Sequence, residues 1–417
     1  MKIKQIKSRQ IIDSRGNPTV EADVILESGA FGRAGVPSGA STGEYEMLEL
    51  RDNVQSDYQG QSVHRAVDNA NNLIAEVLIG KDLDQKRLDD TMLELDGTTN
   101  KGKLGANAIL AVSLAFAWAS SREQGKQLFE YIGDLFGNKD YLLPRPMFNI
   151  MNGGKHGNWA TDFQEYMVVP MKAESWAKRL EIGVNIYHTL RELLKKNGLS
   201  INVGDEGGFS PALESNQQAL DFMVQAVEEA GYELGEDIMF AFDPAASEFY
   251  NEETGMYELK RDKAKFNSDQ MIDWASSLAK KYPVISYEDM LAQNDWAGWS
   301  KLTSKLGNKI QIVGDDLLVT NVQRVEQAIE QKSCNALLVK VNQIGSLSET
   351  LDAMKLAKAA GWNNVVSHRS GETEDITIAH IAVGTGCGQL KDGSPARGER
   401  TAKFNELLRI EEMLTRN

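Results

Sequence analysis

Three acids stand at the ends of three separate apolar runs. Ile238-Met239-Phe240-Ala241-Phe242 leads into Asp243, Val284-Ile285-Ser286-Tyr287 into Glu288-Asp289, and Ile310-Gln311-Ile312-Val313 into Gly314-Asp315-Asp316. Ala336-Leu337-Leu338-Val339 ends in Lys340, and Val365-Val366-Ser367 in His368-Arg369-Ser370. A sixth run, Ile201-Asn202-Val203, opens into Gly204-Asp205-Glu206-Gly207-Gly208-Phe209. Carboxylates suit a hard divalent cation such as Mg²⁺, which takes oxygen ligands and keeps positions for water or substrate. A lysine in an apolar strand becomes a general base once its pKa falls toward neutrality. An arginine followed by a serine suits a phosphate or carboxylate. The inventory is that of a site for divalent metal and a small anion. Any one acid alone reads as readily as the cap of a following helix; three in register do not. The choice between Glu288 and Asp289, and between Asp315 and Asp316, stays open.

Other segments add candidates. Glu206 lies in a glycine-rich loop and can act as a general acid if charge or burial raises its pKa. Ser38-Gly39-Ala40-Ser41-Thr42-Gly43 can turn successive backbone N–H groups and hydroxyls toward an anion or metal, although no Gly-Lys-Ser/Thr follows to make it a P-loop. Asn152-Gly153-Gly154-Lys155-His156-Gly157 precedes Gln164-Glu165 and a strand-like Tyr166 to Val169. Lys391 sits in a turn, Leu390-Lys391-Asp392-Gly393, that can bring a second ammonium to an anion. His64, His188 and His380 have no motif around them and read as structural or exposed.

Strands that repeatedly deliver a functional group at their carboxyl end describe the mouth of a parallel β/α barrel. Helix signals fall between the runs: Ser215, Ser268 and Ser346 as caps, with glycine or lysine at the far ends. Ahead of them, Ile6 to Ile12, Thr19 to Leu26 and Ala30 to Val36 read as a three-stranded meander broken by turn chemistry. Three helical stretches follow, marked by Ala66 to Leu78, by Leu88, Met92 and Leu95, and by the alanine-rich Leu104 to Ser121. The expected fold is α/β: a smaller N-terminal α+β domain over residues 1–136, then a catalytic β/α barrel over 137–417.

With 417 residues, 41% hydrophobic and 25% charged, the chain has ordinary globular composition and room for about two domains. A net charge of −15 argues against nucleic acid or an anionic membrane as partner, so an anionic substrate needs a local positive island. Only Cys334 and Cys387 are present, far apart, as in a reducing cytosol; a cytoplasmic location is expected. Leu104 to Ser121, interrupted by Asn107 and Ser113, reads as a buried small-residue helix rather than a membrane span.

These pieces resemble enolase over practically the whole chain. The specific segments are Ser14-Arg15-Gly16-Asn17-Pro18-Thr19-Val20-Glu21, Val36 through Gly43, Lys103 through Leu110, Val203 through Phe209, Leu338 through Gly345, Ser367 through Thr373 and Leu407 through Glu412. The resemblance implies reversible dehydration of 2-phosphoglycerate to phosphoenolpyruvate, with two Mg²⁺ per site. It implies Lys340 as the base at C2, Glu206 as the acid that helps the C3 hydroxyl leave, and Glu165 in support. Asp243, Glu288 and Asp315 would hold the tighter Mg²⁺, and Ser41 a second that arrives with substrate. Arg369 and Ser370 would bind phosphate, with His156, Gln164, His368 and Lys391 also in the substrate pocket. It implies a barrel that begins with an antiparallel strand, and a homodimer or homo-octamer. Departures are peripheral: Lys155 and Gly157-Asn158-Trp159 around His156, Met290 after Asp289, His380, Gly398, and a shortened Asp52 to Ser62. Two other classes compete: a non-catalytic relative, weighed down by the intact set of matched groups, and a barrel dehydratase of unphosphorylated acid sugars, weighed down by the serine loop with Arg369, Ser370 and Lys391.

Overall fold

The computed structural model describes residues 1–416. The chain opens with three antiparallel strands, β1 (Ile3–Ile12), β2 (Pro18–Leu26) and β3 (Phe31–Gly35), in the order β1-β2-β3. The inward residues of β2, Val20, Ala22, Val24 and Leu26, alternate as a half-buried strand requires and are closed off from solvent. Helices α1 (His64–Asn69) and α2 (Ala75–Leu78), joined through a π-turn, and α3 (Gln85–Asp96) follow. The alanine-rich run forms α4 (Ala106–Glu123), buried almost throughout. It lies against the sheet so closely that a Cβ on Gly32 would meet the Ala115 carbonyl oxygen at 1.9 Å. No helix among the described residues is long and apolar enough to cross a membrane.

Helix α5 (Leu128–Phe136) carries a capping box between Gln127 and Glu130 and ends on Gly137 at φ +83°. The hydrophobic spacing used to find the earlier helices did not bring out this short one. It packs its Phe129 ring on His380 in the barrel half, centroids 6.2 Å apart.

The barrel is closed, in the cyclic order β4-β5-β6-β10-β11-β12-β13-β14. Its strands are β4 (Arg145–Asn152), β5 (Glu165–Pro170), β6 (Ile238–Asp243), β10 (Val284–Glu288), β11 (Gln311–Gly314), β12 (Ala336–Val339), β13 (Asn363–Ser367) and β14 (Gln389–Lys391); β7 (Tyr250–Asn251), β8 (Met256–Leu259) and β9 (Ala264–Phe266) form a small side sheet. Around it stand α6 (Trp176–Lys196), α7 (Asn216–Glu229), α8 (Ser268–Lys281), α9 (Trp296–Leu306), α10 (Val322–Gln331), α11 (Val341–Ile344), α12 (Leu347–Ala359), α13 (Thr377–Thr385) and α14 (Gly398–Thr415). All barrel pairs are parallel except β4–β5 and β5–β6, so β5 runs against its neighbours.

Two sequence expectations are corrected here. Ile201-Asn202-Val203 is not a barrel strand. Three apolar residues before a glycine loop are too few, and the segment makes only a single bridge, Val203 to Phe209, with Val203 41% exposed. The cap of α8 is Asn267 rather than Ser268, because Asn267 exchanges both capping-box bonds with Gln270. Ser215 and Ser346 do cap α7 and α12.

Candidate active site

The carboxyl ends of β6, β10, β11, β12, β13 and β14 place Asp243, Glu288, Asp315, Lys340, His368 and Lys391 around one mouth. One buried pocket is lined by every candidate named from sequence except Glu288, which reaches the same centre through Lys391. Glu165 reaches it by a different route: β5 is reversed, so its first residue, not its last, stands at the mouth. Glu206 arrives on the loop closed by the Val203–Phe209 bridge.

Lys391 is the central cation. Its Nζ is 2.7 Å from Glu288, 3.1 Å from Asp243 and 3.1 Å from Glu165. Burial works against its charge, but these acids outweigh burial and raise its pKa. Lys340 donates to Asp315, whose other oxygen accepts from Gln343 Nε2 at 2.7 Å. Burial again opposes the charge, and the adjoining Asp315 outweighs it and raises the Lys340 pKa.

The geometry also separates the adjacent acids. Both oxygens of Asp289 accept backbone N–H groups, from Asp315 at 3.0 Å and from Asp316 at 2.9 Å. Asp289 thus braces the end of β11, while Glu288 faces Lys391. Asp289, Asp315 and Asp316 each bring an oxygen within 4.8 Å of the others. Burial, with Asp315 second, pushes Asp316 up to about 8. Asp243 and Glu288 meet on Lys391, whereas Asp315 meets Lys340; the three expected metal ligands share the mouth but are tied to two different ammonium groups. The donors are buried carboxylate oxygens on rigid strand ends, without cysteine or histidine among them, which is the chemistry of a hard divalent cation.

Across the pocket, His156, Glu165 and Glu206 form a second cluster within 4.8 Å. His156 Nδ1 lies 3.2 Å from Glu206 Oε1, and Asn149 Nδ2 donates to Glu206 Oε2 at 3.0 Å. Two buried carboxyls this close cannot both ionise readily. Burial and then Glu206 raise Glu165 well above the carboxylate range; burial would also raise Glu206, but the flanking His156 and His368 hold it well below. The proton of the pair therefore belongs to Glu165, with Glu206 as the ionised member.

The Ser38–Gly43 loop is seated on this pocket. Ala40 N donates to Ser370 Oγ at 2.6 Å, and Arg369 donates to the Ser41 carbonyl at 3.0 Å. A Cβ on Gly39 would stand 2.0 Å from the Arg369 guanidinium, so only glycine allows that approach. Ser41 Oγ donates to Glu248, and Lys155 Nζ lies 3.2 Å from the same carboxylate oxygen. The departing Lys155 thereby ties the His156 turn, Gly154–Gly157, to the serine loop. Asn158 and Trp159 continue that turn with φ +50° and +58°, pinned by Arg261 on the Trp159 carbonyl at 2.6 Å. Gln164, behind them, is buried against the pocket.

Several contacts had no clear signal in the sequence. Glu46 binds Arg369 at 2.9 and 3.0 Å, and Asn342 Oδ1 accepts from Arg369 at 2.9 Å. Glu46 lies three residues beyond the serine-loop segment, and Asn342 lies within the Leu338–Gly345 segment just after β12. Glu248 follows β6 by a short turn and could have been found only by asking what lies beyond Asp243.

A family model described as Enolase, N-terminal domain, matches residues 3–132, and one described as Enolase, C-terminal TIM barrel domain, matches residues 140–417. The chain belongs to the enolase family. Enolase domains over this span make it a lyase-type enzyme of the enolase superfamily acting on a small molecule, and the family fold typically binds Mg²⁺. The acidic groups of the mouth could hold such a metal.

Proposed function

We propose that this enolase-family chain catalyses the reversible dehydration of 2-phosphoglycerate to phosphoenolpyruvate. The observation that carries the reading is the opposition, in one buried pocket, of the Lys340 amine to the Glu165–Glu206 carboxyl pair, with Arg369 and Ser370 between the barrel and the serine loop.

In the forward direction the Lys340 Nζ lone pair takes the proton from C2. The C–H electron pair passes into the substrate carboxylate, which becomes a doubly charged enediolate. That pair then returns to form the C2–C3 double bond and expels the C3 hydroxyl, which receives a proton from the Glu165–Glu206 pair and leaves as water. His156 orients that pair. Arg369, with Ser370 and the loop N–H groups, binds the phosphate and excludes water when the loop is seated. Lys391 stays an ammonium and faces the developing dianion, fixed charge placed where charge appears. Asp243, Glu288 and Asp315, with Ser41 for a second ion, would hold Mg²⁺, which would supply further positive charge at the substrate carboxylate. A lysine base with a Mg²⁺-stabilised enediolate is the known pattern of the superfamily, not a deduction from these distances.

The test is growth of enol-phosphate ultraviolet absorbance from 2-phosphoglycerate with Mg²⁺, stopped by chelator. Absence of turnover with excess Mg²⁺ would refute the reading, as would competition by unphosphorylated glycerate as strong as by phosphoglycerate. We further propose a cytoplasmic enzyme that is at least a homodimer, for which solution mass is the measurement.

A further inference from the structure

Arg400, at the start of α14, lies beneath the pocket with no exposure to solvent. One guanidinium nitrogen donates to the Arg369 carbonyl at 2.6 Å and stands 2.6 Å from His368 Nδ1. The other donates to the carbonyls of Ser370 at 2.6 Å and Asp205 at 3.1 Å. One side chain therefore ties the backbone of His368-Arg369-Ser370 to that of Asp205, the residue before Glu206.

A guanidinium has only donors and keeps its charge in proteins. The imidazole nitrogen facing it must accept, so Nδ1 carries no proton. In a neutral ring the proton then sits on Nε2, the nitrogen 3.5 Å from Glu206 Oε2. A partner on one ring nitrogen commonly sets the state of the other. One competitor exists. Asp392 Oδ1 is 3.6 Å from His368 Nδ1, and an ionised Asp392 would ask for the opposite tautomer. Asp392 is fully enclosed, and neither of its oxygens has a hydrogen-bond partner among the described residues. Burial raises its carboxyl well above the usual range and leaves it neutral. Burial also pushes His368 down to about 4, so the ring stays uncharged near neutrality.

We infer that Arg400 is a positioning residue that fixes His368 as the Nε2–H tautomer, so that the ring presents a donor to Glu206 and never a basic lone pair. With that donor aimed at it, Glu206 keeps its carboxylate form, and the proton of the pair stays with Glu165. The catalytic consequence rests on the dehydration reading, but the tautomer itself can be measured without turnover.

The experiment is magic-angle-spinning NMR on the whole protein carrying histidine labelled with ¹⁵N at Nδ1 only. The chain has five histidines, and the His368 signal is the one lost in His368→Gln. At neutral pH it is expected at the far-downfield position of a bare imidazole nitrogen, in wild type and in Asp392→Asn alike. A protonated Nδ1 in wild type, or a signal that moves in Asp392→Asn, overturns the inference. Folded Arg400→Met should shift the signal toward the protonated position and lower kcat by about 10–100-fold with little change in KM; an unmoved signal there also overturns it. Arg400→Lys, which keeps one donor, should restore the bare position. If Arg400→Met does not fold, wild type and Asp392→Asn still decide. A bare Nδ1 in a protein without dehydratase turnover would refute the functional reading and leave the tautomer assignment standing.

Discussion

At the scale of single residues, the pocket sets an amine paired with Asp315 against a carboxyl pair holding one proton. Removing the amine should remove the chemistry: Lys340→Ala is expected to lower kcat by at least about 10²–10⁴-fold while the fold persists, the usual worth of a positioned acid or base. Turnover near wild type in the enol-phosphate assay would refute the base assignment. Arg369→Lys keeps the charge and loses the planar fork that meets Glu46, Asn342 and the Ser41 carbonyl. It should raise KM for the phosphorylated substrate more than it lowers kcat, and steady-state kinetics separate the two.

Between elements, a buried polar bridge joins the two halves of the chain. Asp89 on α3 accepts from Ser348 N at 3.0 Å and Ser348 Oγ at 2.6 Å on α12, and Gln85 Nε2 reaches the Ser113 hydroxyl at 3.1 Å. Burial pushes Asp89 up to about 6 despite the Ser348 bonds. An unfolded aspartate titrates near 3.9, so the folded protein binds this proton more tightly. The stability from it is full below about pH 4 and is lost as pH rises through about 6. Asp89→Asn should flatten that part of the slope in urea unfolding followed from pH 4 to 6; an unchanged slope would show that the carboxyl does not titrate there. At the serine loop, Gly39→Ala forces a Cβ into the Arg369 guanidinium. The loop should then unseat, with loss of kcat/KM and little change in Tm.

Elements also explain what could be read in advance. A strand that ends in a functional group announces itself by an apolar run followed by a charge, which is why Asp243, Lys340, His368 and the Asp315-Asp316 pair could be found from spacing alone. Glu165 could not, because its strand is inverted and the group leads the run instead of closing it; its place came from family resemblance. The Glu206 segment looked like a strand and is a bridged loop, since three apolar residues carry too little register information. Spacing left Glu288 and Asp289 equivalent; the family resemblance favoured Glu288, and the structure supplies a physical reason, since Asp289 is spent on two backbone N–H groups. Arg400 gave no signal, being one charged residue among many on a helix far along the chain.

For the whole molecule, the acid-rich mouth sits within a chain of net charge −15. The carboxylates there repel one another and are restrained in this structure by Lys391 and Lys340. Mg²⁺ that binds only the folded protein should therefore raise Tm, by about 2.7 kcal/mol of stability at a hundred times its Kd. Scanning calorimetry with Mg²⁺ and with chelator measures this, and Glu288→Gln should remove most of the difference. A metal-independent Tm would count against a resident cation.

The inverted β5 has one more effect. Its connection to β4 is a hairpin tip, residues 153–164, that begins and ends at the mouth without crossing the barrel. Insertions at such a tip add little closure entropy and leave the register of the other strands alone. Lineages with this scaffold can therefore try new roofs over the reaction chamber by editing one short ribbon, while the floor that performs the chemistry is inherited intact.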